Sequence, residues 1–395
     1  MEKIYQAIHL VLCMTIAMLF ITSCSDDLPE PEKKLEGNTV IIYMGAENSL
    51  SYHDSYNEAF SKKDIDEMIL AAPQIPEDCQ VVVFKDDELN PVIFRINKKG
   101  KTTWKQYEQE LNSGDPATMK NVLSDITKNF PSNKYSLILW SHGSGWINAN
   151  NSRAIIVDNQ KNTTSNNGSW INISDLSNVL STLPHMEYIM FDACYMQSVE
   201  VIAELYAHAN YIIGSPTEIP GNGAPYDIIM KSLCKADISG IINGYASEYS
   251  TGNGVLLSAV SCAKFPDFCT ETSKYIAPSF NKSNMPGVAG IQIYAPTNID
   301  MPVPYDMRSA MHRVLSEEDY QTWEVLWRNT ILYPRYANSW ETVHEGFFHC
   351  TIQDPEHYGG ISMNIPNTRY DSKGWNAEFK QTAWYRLAYW EQTGW

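Results

Sequence analysis

Tyr135-Ser-Leu-Ile-Leu-Trp140-Ser-His-Gly-Ser-Gly-Trp146 is the stretch on which the fold turns. Its first half is a short continuous apolar run, and its second half is polar, glycine-rich and carries His142. An apolar run of this length, bounded by turn residues, reads as a strand buried on both faces, as in a mainly parallel sheet. Similar runs occur at 39–44, 80–84, 187–191, 211–214 and 290–294. Helical patterns lie between them. Asp115-Pro116 opens one, with Met119, Val122, Leu123 and Ile126 on one face and proline in the first turn. Ser174 is the expected cap of a second, which aligns Leu176, Val179, Leu180 and Leu183. Val199, Ile202, Ala203 and Tyr206 make a third. Strand and helix alternation predicts an α/β fold, a three-layer α/β/α sandwich with right-handed crossovers. Residues 92–96 and 102–104 read as a small hairpin.

Composition agrees with a large folded core. The chain has 395 residues, 44% hydrophobic and 19% charged, with no fixed-period repeat. Lys plus Arg is 29 and Asp plus Glu is 46, a net charge of −17. Such an acidic protein repels phosphate backbones, so nucleic acid is not an expected partner.

The amino terminus reads as an export address. Residues 7–21 are almost wholly apolar and follow Lys3, which suits a signal peptide better than a spanning helix. The run ends Ile21-Thr-Ser-Cys24, which resembles a bacterial lipobox, with Cys24 as the lipidated residue. Ser25-Asp26-Asp27 resembles the acidic tag of surface lipoproteins in Bacteroides-like bacteria. The expected organisation is a signal peptide at 1–23, a lipidated Cys24 and tether over 24–38, a catalytic domain at 39–299 and a carboxy-terminal subdomain at 300–395 packed on the sheet. The expected location is the outer membrane, reached by export, with the cell surface as a candidate face.

In a parallel sheet, chemistry gathers at the carboxyl ends of strands. Two ends carry reactive residues: His142 after the 135–140 run, and Cys194 in Phe191-Asp-Ala-Cys-Tyr-Met196. Eight cysteines are present, without dense spacing or a CxxC pair, so burial as small hydrophobes is the expectation for most of them. Cys194 is placed at the start of a predicted helix, whose amino terminus favours a thiolate. An imidazole on a neighbouring strand end can take the thiol proton and return it to a leaving amine. The N–H groups of Gly143 and Cys194 are candidates for an oxyanion hole.

At these residues the sequence resembles the clostripain family of cysteine peptidases, in the caspase-like clan. The blocks that carry it are Gly114–Met119 with Phe130–Trp146, Phe191–Glu200 and Ser215–Tyr226, covering about residues 39–295. The His-to-Cys spacing, 194 − 142 = 52, also fits the clan. The resemblance implies Cys194 as nucleophile, His142 as its partner, and Asp192 as an S1 carboxylate selecting Arg or Lys at P1. It implies protein or peptide substrates. It also implies self-cleavage in a loop between His and Cys, where Arg153 and Lys161 are the basic candidates. Some members need calcium, but no calcium motif stands out in the sequence and no metal ligand is assigned.

Two rivals are weaker. His344 and His349 are five apart, which would splay them on a helix and argues against a zinc site. Seven tryptophans between 323 and 395 suit helix packing, with a non-catalytic surface lipoprotein that binds peptide or glycan as the alternative.

Overall fold

The computed structural model describes residues 33–51, 59–147, 154–159, 168–249, 254–343 and 346–395. Its fifteen strands are β1 Leu35–Gly45, β2 Gln80–Asp86, β3 Val92–Asn97, β4 Gly100–Gln106, β5 Ser132–Trp140, β6 Ile155–Asp158, β7 Ser169–Ile171, β8 Met186–Asp192, β9 Ala209–Gly214, β10 Leu257–Ser261, β11 Pro304–Asp306, β12 Ile331–Arg335, β13 Ser339–Thr342, β14 Phe348–Thr351 and β15 Ser362–Asn364. Nine of them form one sheet in the order β12-β10-β9-β8-β5-β1-β2-β3-β4. The five central strands, β9 to β2, are parallel. Two antiparallel strands extend each edge.

The central strands alternate between two cores. Ile41 and Tyr43 enter one hydrophobic cluster, while Val40, Ile42 and Met44 enter the other. This period of two, with both faces covered, is why the strands read as unbroken apolar runs. Helices Phe60–Leu70, Tyr226–Lys235 and Ile238–Glu248 cover the second face. Helices Pro116–Asn129, Ile173–Leu180, Val199–Leu205, Phe265–Ser279 and Glu317–Thr330 cover the first. The α/β/α sandwich is therefore present.

Several local expectations hold and several fail. Asp115 caps its helix through Thr118 N–H at 2.9 Å, with Pro116 next. The hairpin closes at Asn97 opposite Gly100, whose φ of +105° suits glycine. The second helix is capped two residues earlier than expected: Asn172 is the cap residue, and Ser174 lies inside the helix. The expected strand at 290–294 is a turn with one isolated bridge, Ile293 to Tyr305. Gly290 there takes a φ of +85°, which breaks extended geometry. The strand that does enter the sheet is β10. After residue 300, the chain supplies the edge strand β12 and pairs β11 with β15. The six described cysteines, Cys262 and Cys269 included, are free thiols. No helix among the described residues is long and apolar enough to cross a membrane.

The interior also stores acids. Burial pushes Glu200 up from 4.5 to about 7, although Asn364 N–H donates to it at 2.7 Å. The folded state therefore holds this proton more tightly than the unfolded chain. That stabilisation is complete below about pH 4 and is lost as pH rises through about 7, roughly 3 kcal/mol in all. Replacing Glu200 with Gln is expected to flatten the fall of stability between pH 5 and 8, as read by urea melts at each pH.

Candidate active site

The parallel register of β5 with β8 ends with Trp140 opposite Asp192. His142 and Cys194 each follow two residues later, so imidazole and thiol leave the same sheet edge from neighbouring strands. β1 adjoins β5 on its other side. The chain turns from β1 toward β2 on one flank and, later, toward β5 on the other, which makes this edge a topological switch point.

Close contacts fix the two loops. A Cβ on Gly143 would lie 2.7 Å from the Cys194 carbonyl oxygen and 3.0 Å from Met196 Sδ. Glycine is thus what lets the His142 loop rest on the Cys194 backbone. Gly143→Ala is expected to force these loops apart, costing about 1–3 kcal/mol of stability and most of the peptidase activity; a melt and a peptide assay on one preparation would check both. Ser49 Oγ lies 2.8 Å from His142 Nε2 and holds that edge of the ring. Ser49 itself follows β1, and Asn48 anchors the segment by donating to the carbonyls of Gly45 and Val157.

The turn at Cys194 is sharper than the sequence suggests. Tyr195 has a φ of +62°, a strained value for an aromatic residue, and strain of this kind concentrates at functional sites. Tyr195 N–H then donates to Thr217 C=O, and Gln197 N–H to Ser215 C=O. These bonds delay the following helix, which starts at Val199 with Ser198 as cap. The expectation that Cys194 opens a helix is therefore corrected: the thiol lies four residues before the cap and outside the dipole's reach. Its electrostatics follow suit. Burial, then the Glu218 carboxylate, push the Cys194 thiol up to about 12, and the Ile219 N–H bond to Sγ at 3.5 Å opposes this only in part. The Cys194 sulfur therefore rests as a thiol.

Asp192 is 3% exposed. It accepts from Ala224 N–H at 3.1 Å, Tyr226 O–H at 2.9 Å and Tyr245 O–H at 3.1 Å. Burial still pushes it up to about 6. Asp64, which accepts from Trp140 Nε1–H at 2.6 Å, is raised by burial and by Asp192. Glu67 is raised by burial, with Asp192 among the carboxylates that add to it. This flank of the site is thus a desolvated cluster of carboxyl groups, each held above the usual carboxylate range. A Cβ on Gly223 would lie 3.0 Å from both Asp192 oxygens.

Ser49, Glu218, Tyr226 and Tyr245 are not among the site residues assigned from sequence, although Glu218 and Tyr226 lie in the Ser215–Tyr226 block, because only tertiary pairing brings them to this edge. Cys24, Arg153, Lys161 and His344 lie outside the described residues. His349 sits on β14 in a hairpin and pairs with Glu341 at 2.8 Å, so it does not share a helix face with another ligand. Six of the seven tryptophans, Trp323, Trp327, Trp340, Trp384, Trp390 and Trp395, are buried, while Trp375 is half-buried.

A thiol and an imidazole on adjacent carboxyl ends of a parallel sheet, with backbone amides alongside, form the constellation that cysteine-nucleophile hydrolases use. The clostripain family model matches residues 42–393, and the chain belongs to that family of cysteine peptidases. A secreted C11 cysteine protease from Bacteroides thetaiotaomicron, solved by X-ray with an irreversible peptide inhibitor, is similar at a TM-score of 0.77. The two are 27% identical, over 90% of this chain and 99% of that one. An inactive zymogen C11 protease from Parabacteroides distasonis shares the fold at a TM-score of 0.75 and 22% identity, over 90% and 99% of the chains. Clostripain of Hathewaya histolytica is 27% identical over 132 residues, 31% of this chain. The match spans 25% of clostripain's own length.

Proposed function

We propose that this chain is a lipid-anchored cysteine endopeptidase that cleaves after Arg or Lys through Cys194 and His142. The observation that supports the reading is the β5–β8 register, in which Trp140 lies opposite Asp192, each two residues before His142 and Cys194. In this reading His142 takes the Sγ proton and the thiolate attacks the scissile carbonyl. The N–H groups of Gly143 and Cys194 meet the developing oxyanion. His142 then protonates the leaving amine, and water, deprotonated by the same imidazole, hydrolyses the thioester. Ser49 is a positioning residue. Ser49→Ala is expected to lower kcat about 10- to 100-fold, with KM little changed and the pH–rate profile displaced.

The cluster of Asp64, Glu67 and Asp192 supports basic P1 selection, because a cationic side chain beside it would favour the charged carboxylates. Arg153 and Lys161 are the proposed self-cleavage positions, and Cys24 the proposed lipid site, with the outer membrane as destination. The alternative, a non-catalytic lipoprotein that binds peptide or glycan, is disfavoured by the burial of six of its seven tryptophans. The test is hydrolysis of matched peptides with Arg, Lys, Ala or Asp at P1. Cleavage after Arg or Lys alone is expected; equal cleavage after Ala would remove Asp192 as selector, and none at all would favour the binding-protein reading.

A further inference from the structure

Another constellation lies in the last third of the chain and shares no residue with the peptidase reading. His312 sits in the last turn of helix Met307–Val314, and Asp354 and His357 lie in the connection between β14 and β15. One ligand atom from each lies within 4.8 Å of the others. His357 Nδ1 is 2.9 Å from an Asp354 carboxylate oxygen, and the His312 and His357 rings stack with centroids 3.5 Å apart. All three residues are half-buried. Their backbones are held in place from both sides. Arg308, one helical turn before His312, donates from Nη1 to the carbonyls of Glu356 at 2.8 Å and Tyr358 at 3.3 Å. Those bonds seat the chain on either side of His357 against the helix that carries His312. Gln292 Oε1 accepts from Gln353 N–H at 2.6 Å and from Asp354 N–H at 3.4 Å. Asp354 Oδ1 also accepts from His357 N–H at 3.2 Å, which closes the turn between the two ligands. Arg308 Nε donates to Glu324 Oε1 at 3.0 Å, so the nearby guanidinium charge is offset and does not bar a cation.

We propose that His312, Asp354 and His357 form a binding site for a divalent transition metal of the zinc class. Two imidazoles and one carboxylate suit zinc and its neighbours in the first row, whereas calcium and magnesium take oxygen ligands. Donors on a tetrahedral zinc, each about 2.0–2.1 Å from it, lie roughly 3.4 Å from one another. Asp354 and His357 therefore open by only about 0.5 Å from their contact to admit the ion. The metal takes the place of the proton between them, which is released. His312 swings out of its stack to complete the set, from a separation of at most 4.8 Å. Three protein ligands leave the fourth position to water. The bound metal clamps the carboxyl end of helix Met307–Val314 to the β14–β15 connection, and its binding free energy adds to the stability of the fold. The site does not depend on the roles given to Cys194 and His142.

The test is calorimetric titration of the chelator-treated protein with zinc, in excess calcium to fill oxygen-only sites, alongside thermal melts and the absorption spectrum of the cobalt(II)-loaded protein. The expected result is a zinc-binding event that raises the melting temperature by a few degrees. Cobalt at the same site is expected to show ligand-field bands without the charge-transfer band that a thiolate ligand brings. His312→Gln and Asp354→Asn are each expected to weaken zinc binding at least 10-fold. Asparagine keeps the shape at 354 and an acceptor for His357, so its metal-free melt is expected to match that of the wild type and separates a lost ligand from a lost fold. Cys194→Ala, titrated in parallel, is expected to bind zinc as the wild type does. Absence of zinc binding to the wild type, undiminished binding in either ligand variant, or a thiolate band together with lost binding in Cys194→Ala would each overturn the proposal.

Discussion

Cys194→Ala is expected to lower kcat/KM for peptide hydrolysis by about 10⁵-fold while the protein stays folded. The thiol is the proposed source of the electron pair that attacks the carbonyl, and the one other half-buried described cysteine, Cys350, lies on β14 outside the parallel sheet. Cys79, Cys234, Cys262 and Cys269 are buried. The structural cost of the substitution is small. Cys194 is partly exposed, and its sulfur's hydrogen bond is a long one from Ile219 N–H at 3.5 Å. Stability should change by no more than about 1 kcal/mol. His142→Ala should approach the same loss, because a thiol pushed up to about 12 is scarcely ionised at neutral pH without a base. Retention of activity within 10-fold in either variant, measured on a protein freed of other peptidases, would contradict the assignment.

Asp192→Asn is expected to cut the preference for Arg or Lys over Ala at P1 by about 100-fold or more. Asparagine keeps the shape and one acceptor for Ala224, Tyr226 and Tyr245. Alanine would strand all three donors and cost roughly 3–5 kcal/mol, so its loss of activity would report folding as much as selection. The wild type offers a second check. Asp192 is raised to about 6 chiefly by burial, so in the free enzyme it is charged above that pH and neutral below it. The ratio of kcat/KM for Arg over Ala at P1 should fall between pH 8 and 5 in the wild type and stay flat in Asp192→Asn. An undiminished preference in the variant would leave Asp192 as a structural anchor for the Tyr226 and Tyr245 hydroxyls.

The parallel core was legible because strands covered on both faces must be nearly continuously apolar, and 40–44, 81–84 and 137–140 are unbroken apolar runs. β10 was not, since Ser258 and Ser261 interrupt its apolar content, and its antiparallel place beside β9 follows from pairing rather than pattern. The 290–294 run misled because Gln292 spends its side chain on Ile293 C=O and Gln353 N–H, tying down a turn instead of a ladder. At the site, His142 and Cys194 were legible as reactive residues after apolar runs. The environment of Cys194 was not, because nothing local announces that Tyr195 takes a positive φ. Ser49 lies too far from His142 in sequence to suggest their contact, which follows from β1 and β5 being neighbours.

The most direct test of the central claim is to treat the wild-type protein with a peptidyl chloromethyl ketone bearing Arg at P1 and map the adduct by tandem mass spectrometry. The account predicts one label, on Cys194, much slowed in His142→Ala and accompanied by complete loss of hydrolysis. A label on another residue, or full inhibition with Cys194 unmodified, would contradict it.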